Sequence, residues 1–180
     1  MAFAAGCSQY VEDYQYAPRP ALAEIPSTQP DMGPPLSVLA SIVGIRREDR
    51  DARLPESIEV RLQLNNNGPQ QVTFDPNALH LTDGSLFNFP PPIIQASQSL
   101  DLAPGQSLML GIFFPIPPGR SYDDFDLESF QLRWTVQLGG RPVTQVVYFH
   151  RVHVYYRPYY YYDYPPGPFF VGGAVIVHHR

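Results

Sequence analysis

The chain has 180 residues, 44% of them apolar and 16% charged, with a net charge of −5. That leaves room for one domain of ordinary size with a packed core, but with less charge than the ~25% usual in soluble proteins. All 12 basic residues are arginine, which excludes Schiff-base chemistry and a P-loop. Apart from "RREDRDAR" at 46–53, where acids interleave, the arginines are scattered, so no basic stripe exists to track nucleic acid.

Proline supplies 21 residues, roughly twice its usual ~5% share. Because proline fixes φ and lacks an N–H, this argues for little helix and many extended connections. Cys7 is the single cysteine, so an internal disulfide and a Cys-rich zinc site are excluded. No run approaches the ~20 apolar residues of a membrane-spanning helix.

Residues 8–35 hold Pro18, Pro20, Pro26, Pro30, Pro34 and Pro35 with no apolar periodicity. This predicts an extended tether, its tyrosines Tyr10, Tyr14 and Tyr16 solvated. From Leu36 the pattern changes. "PLSVLASIVGI" is rich in β-branched residues and predicts a strand. In "SIEVRLQL", Ile58, Val60, Leu62 and Leu64 alternate with Glu59, Arg61 and Gln63, the period of a half-buried strand. It ends at "NNNGPQ", a turn composition.

"QVTFD" and "ALHLTDG" read as two short strands, the second closed by Asp83-Gly84. "SLFNF" reads as a further strand, stopped by the triple proline 90–92. "IIQASQSLDLAPGQS" leads through a Pro-Gly turn into "SLMLGIFFPI". There Leu108, Leu110, Ile112 and Phe114 share one side while Met109 and Phe113 lie on the other, which predicts a central or covered strand. "YDDFDLE" (122–128) has room for one helical turn.

The last unit is a hairpin. Phe130, Leu132, Trp134, Val136 and Leu138 alternate with Gln131, Arg133, Thr135 and Gln137, and Gly139-Gly140 fits a two-residue primed turn. Setting Leu138 opposite Arg141 pairs Val136 with Val143, Trp134 with Gln145, Leu132 with Val147 and Phe130 with Phe149. Gln145 against Trp134 is the weak match, where a bulge would shift everything downstream. Seven or eight short strands without a helix predict an all-β fold, an antiparallel β-sandwich with disordered or extended termini.

The segment 57–149 resembles the immunoglobulin-like domains of bacterial envelope lipoproteins. The likeness rests on "SIEVRLQLNNNGPQQVTFDPNALHLTDGSLF", on "LAPGQSLMLGIFF" and on "FQLRWTV", and it implies a non-enzymatic role in adhesion, binding or spacing. The opening "FAAGC" resembles a lipobox, which implies acylation of Cys7 and a membrane anchor. Ala4 departs from the leucine that pattern prefers, and no basic or apolar signal region precedes it. Met1 is therefore read as an internal residue of a longer precursor. Ser8 after the cysteine implies sorting to the outer membrane.

Other chemistry is weaker. Asp123, Asp124, Asp126 and Glu128 form an acidic loop of a kind that can hold Ca²⁺, but the EF-hand spacing and glycine are missing and a solvated loop is expected. His150 and His153 fall on opposite sides of a strand, while His178 and His179 lie at the C-terminus. No metal, cofactor or catalytic constellation is expected, and no enzyme. The tail carries Tyr155, Tyr156, Tyr159, Tyr160, Tyr161, Tyr162 and Tyr164, amphipathic rings suited to a partner or a membrane surface; disorder without function is the competing reading. "FFVGGAVIV" (169–177) reads as an edge strand or a sticky terminus.

The expected organisation is a lipobox remnant over 1–7, a tether over 8–35, an immunoglobulin-like sandwich over 36–154 and an aromatic tail over 155–180. The expected function is a lipid-anchored envelope protein, facing the periplasm or the cell surface and contacting an envelope protein or the cell wall. The alternative is a soluble periplasmic or secreted binding module for a small ligand or glycan.

Overall fold

A strand with one apolar side must cover that side against another layer. The computed structural model describes residues 9–11, 14–26, 33–96 and 100–152. In chain order their strands are β1 (Tyr16–Ala17), β2 (Ala21–Ile25), β3 (Leu36–Arg46), β4 (Ser57–Asn66), β5 (Val72–Asp83), β6 (Ile93–Ala96), β7 (Asp101–Leu102), β8 (Ser107–Pro115), β9 (Ser129–Leu138) and β10 (Arg141–Arg151), with a 3₁₀ turn at Tyr122–Asp124. They pair antiparallel into two sheets, ordered β1-β10-β9-β5-β7 and β2-β3-β4-β8-β6. This is an antiparallel immunoglobulin-like β-sandwich.

The core follows the alternation. Val38, Ala40 and Ile42 of β3, Ile58, Val60, Leu62 and Leu64 of β4, and Leu108, Leu110, Ile112 and Phe114 of β8 are buried from one sheet. Phe74 and Leu81 of β5, Phe130, Leu132, Trp134 and Val136 of β9, and Phe149 of β10 are buried from the other, in the same cluster. Each buried Val, Leu, Ile or Phe among them contributes about 1.5–3 kcal/mol, set against the entropy of ordering the chain.

The β9–β10 hairpin takes the expected register without interruption, from Leu138–Arg141 through Trp134–Gln145 to Phe130–Phe149. Its turn has φ of 56° at Gly139 and 78° at Gly140, the left-handed pair that a type I′ turn requires.

Other expectations are corrected. The two strands expected at "QVTFD" and "ALHLTDG" are one element, β5, whose pairing with β9 shifts between Asp75 and His80; Pro76 lies in that interval, where no ladder N–H is needed. "SLFNF" is not a strand. Leu86 adopts φ +67°, and Asn88 makes only an isolated bridge to Thr82. β8 lies between β4 and β6, and its second side is uneven, with Met109 58% exposed and Phe113 buried.

The largest correction concerns the tether. Residues 9–11 and 14–25 belong to the sandwich. Tyr10 bridges to Arg46, β1 pairs with β10 and β2 with β3. Tyr16 is buried, its ring 5.0 Å from Phe130 and its hydroxyl donating to the Leu127 carbonyl at 3.1 Å. Ala21 and Ile25 also enter the core. Pro18 and Pro20 lie between β1 and β2, where the chain crosses from one sheet to the other and no ladder bond is lost.

Candidate functional site

The end of the sandwich at which β3 stops and β4 starts, called the lower end, collects the charged and aromatic side chains. β4 places Glu59 on its outer side, yet Glu59 is only 2% exposed. A carboxylate so enclosed needs partners. Tyr10 Oη donates to Glu59 Oε2 at 2.7 Å. Arg61 reaches Oε1 through Nε at 3.0 Å and Nη2 at 2.9 Å. Arg46 Nη1 is 3.5 Å from Oε2, while its Nη2 donates to Asp49 Oδ2 at 2.8 Å. The Arg46 guanidinium also lies 5.4 Å from the centre of the Phe113 ring.

Burial, then the bond to Glu59, pushes the Tyr10 phenol up from its ordinary pKa. The Ala52 N–H, then Arg46, holds the Asp49 carboxyl below its ordinary value. This network fastens the N-terminal segment, helped by Val11 N–H donating to Ile45 O at 2.9 Å and Arg47 N–H to Gln9 O at 3.0 Å. Gly44 permits the close approach. Its φ is +149°, β3 bulges against β4 between Ile42 and Gly44, and a Cβ there would stand 3.4 Å from the Tyr14 carbonyl oxygen.

A second cluster holds the other described terminus. Arg151 lies 4.3 Å over the Tyr14 ring and donates through Nη1 to Glu128 Oε1 at 3.0 Å. Tyr14 meets Tyr122 edge-on at 5.8 Å, and Val152 N–H donates to Gln15 O at 2.8 Å. Nearby, Arg120 stacks 4.3 Å over Phe125 and 5.3 Å over Phe87.

The acidic loop is organised by its own backbone. Asp124 Oδ2 accepts from Ser121 N–H at 2.8 Å, closing a capping box, and Asp126 Oδ1 accepts from Glu128 N–H at 3.2 Å. Among the described residues no three metal-ligating side chains stand together. His150 is exposed on β10; His153, His178 and His179 lie outside the described residues.

Asp83, which is buried, ties the loop after β5 to this end. Its Oδ1 accepts from Ser85 N–H (2.9 Å), Ser85 Oγ (2.8 Å) and Phe87 N–H (2.8 Å), and its Oδ2 from Asp126 N–H (3.2 Å). A cleft of about 380 Å³ opens between the β5 bulge and β6, lined by Pro76, His80, Phe89, Pro91, Pro92 and Ile94 among others. Its aromatic rings are the Phe89 phenyl and the His80 imidazole.

Cys7 and Tyr155, Tyr156, Tyr159, Tyr160, Tyr161, Tyr162 and Tyr164 all lie outside the described residues. In sequence, Cys7 is two positions before Gln9 and Tyr155 three after Val152. Both described termini are held at the lower end. Sequence reasoning missed Tyr10, Arg46 and Glu59; the one available signal was an acid on the outer side of an otherwise alternating strand.

No family model and no curated protein matches this chain. Among solved structures it is similar to the GAE domain of GGA2p from Saccharomyces cerevisiae, at 12% identity over 76% of this chain and 100% of that one, with a TM-score of 0.34.

Proposed function

We propose that this chain is a non-enzymatic cell-envelope lipoprotein, held to a membrane by acyl chains on Cys7 and displaying its sandwich to an envelope protein or the cell wall. The observation that carries the reading is the distance between the fold and that cysteine: the sandwich begins at Gln9, bonded to Arg47, two positions after Cys7. Acyl chains contribute about 0.8 kcal/mol per buried CH₂, so an anchor there holds the lower end against the membrane with no free tether. The described chain stops at Val152 at that same end, the Tyr155–Tyr164 segment follows it in sequence, and tyrosine suits the membrane–water interface. Localisation to the outer membrane follows from the Ser8 pattern.

Expression from the full genomic reading frame, followed by mass spectrometry of the mature protein, tests this. An acylated Cys7 at the N-terminus, and release into the soluble fraction by Cys7→Ser, is the expected result. An intact, unmodified Met1 in the native host overturns it. The 380 Å³ cleft supports a second reading, a soluble module for a small ligand, since its volume lies at the lower end of the ligand-site range. Ligand-dependent NMR shifts confined to His80, Phe89 and Ile94 would favour that reading.

A further inference from the structure

The cleft beside the β5 bulge forms where the chain changes sheets. Phe89 N–H donates to Leu81 O at 3.0 Å and Asn88 bridges to Thr82, so this segment lies against β5. Ile93 then opens β6 in the other sheet. Leu79 and Phe89 belong to the buried core and also line the cleft. Pro76, Pro91, Pro92 and Ile94 complete its apolar lining. Three proline rings, each with a fixed φ, keep the walls formed before a ligand arrives, which lowers the ordering cost of binding. At about 30 Å³ for each water-sized group, the 380 Å³ of the cleft has room for about a dozen non-hydrogen atoms.

The polar side chains of the lining are Asn77 and His80. His80 is exposed on the outer side of β5, between the buried Leu79 and Leu81. Directly opposite it on β9 stands Arg133, exposed on the same outer side between the buried Leu132 and Trp134. One strand spacing, about 4.8 Å, separates the two, and the long arginine stem can span it. Arg46, Arg50, Arg61 and Arg151 each meet a carboxylate, but none of the ion pairs among the described residues uses Arg133. No carboxylate lines the cleft. Asp75, just ahead of Pro76, accepts the Asn77 N–H at 3.0 Å instead. An apolar cleft with a cation at one rim and no acid in its lining complements a ligand of opposite charge pattern.

We propose that this cleft binds a small amphipathic monocarboxylate, its apolar body against Leu79, Phe89, Ile94 and the prolines, its carboxylate at the His80 rim and held by Arg133. The proposal rests on the second reading above, that the cleft is a ligand site, and names the class of ligand. The planar guanidinium fork matches a carboxylate bidentately. One arginine balances one negative charge, whereas a phosphate ester brings nearly two. A sugar would set several hydroxyls against a mostly apolar lining, and polar groups buried without partners are costly.

NMR titration of the full chain with octanoate, and with its neutral counterpart octanamide, tests the assignment. Octanoate should shift Asn77, His80, Phe89, Ile94 and the Arg133 guanidinium, and should bind about tenfold or more tightly than octanamide. Arg133→Gln should bring octanoate down to the level of octanamide, and Arg133→Lys should keep part of the difference, since it retains the charge but not the fork. Arg133 is exposed, so both variants should unfold at the same urea concentration as the parent. Equal binding of the two probes, or an octanoate affinity that Arg133→Gln leaves unchanged, overturns the carboxylate assignment and leaves the cleft a ligand site. No shift with either probe overturns both the assignment and the cleft as a site for ligands of this size. Shifts at the same residues that grow with protein concentration, without added probe, would assign the cleft to a second copy and overturn the proposal as well.

Discussion

Tyr10 and Glu59 stand 49 positions apart in sequence and meet at 2.7 Å, the phenol donating to a carboxylate that is almost wholly enclosed. This contact joins the start of the described chain to the outer side of β4. A hydrogen bond to a charged group is worth about 1.5–3 kcal/mol. Tyr10→Phe should therefore lower the unfolding free energy by that amount in urea titrations and speed exchange at the Val11 and Arg47 amides. Unchanged exchange at those two amides would refute the fastening role.

Asp83 gathers four donors from the loop after β5 and from Asp126. Removing the carboxylate orphans partly buried N–H groups at about 1–3 kcal/mol each before relaxation. Asp83→Ala should cost roughly 2–4 kcal/mol by the same rule, and Asp83→Asn clearly less, because its amide oxygen still accepts. Thermal unfolding of the two variants side by side provides the check.

Burial raises the pKa of Tyr10, Tyr14 and Tyr16, Tyr16 the most. Their folded values exceed the ~10 of the unfolded chain, so the neutral phenols contribute stability fully below pH ~10 and lose it as pH rises through the folded values. Asp49 behaves in the opposite sense. Its lowered folded value contributes stability above its ordinary 3.8, lost as pH falls through that lower value. Absorbance titration should show a late tyrosine phase coinciding with alkaline unfolding, and Tyr16→Phe should shrink that phase.

Gly44 combines φ +149° with a neighbouring Tyr14 carbonyl. Gly44→Ala should cost about 1–3 kcal/mol through backbone strain and loosen the strap that crosses it. Limited chymotrypsin digestion, read at Tyr14, which precedes Gln15, should then proceed faster than in the parent protein.

Alternation made β3, β4, β8 and the β9–β10 hairpin legible in advance, because a half-buried strand writes its period directly into the chain. Even the Trp134–Gln145 mismatch did not disturb the register, since a type I′ turn leaves no slack next to it. The N-terminal strands were not legible. β1 has two residues, and β2 spaces its apolar contacts as Ala21, Ala23 and Ile25 between prolines, too short and too small a signal to rise above a tether composition. "SLFNF" misled for the converse reason: its alternating phenylalanines serve an aromatic cluster with Phe125, not a ladder. The lower-end network is tertiary throughout. Nothing local to Tyr10 indicates that Glu59 awaits it.

The direction of that first segment has a mechanical meaning. Residues 9–11 run antiparallel to the end of β3, and Tyr16–Ala17 antiparallel to the end of β10, so both climb away from the lower end. A force drawing Gln9 outward from that end acts along these strands, across the direction of their hydrogen bonds. The Gln9–Arg47, Val11–Ile45 and Tyr10–Glu59 contacts would bear such a load side by side, in shear, where a sideways pull would peel them one after another.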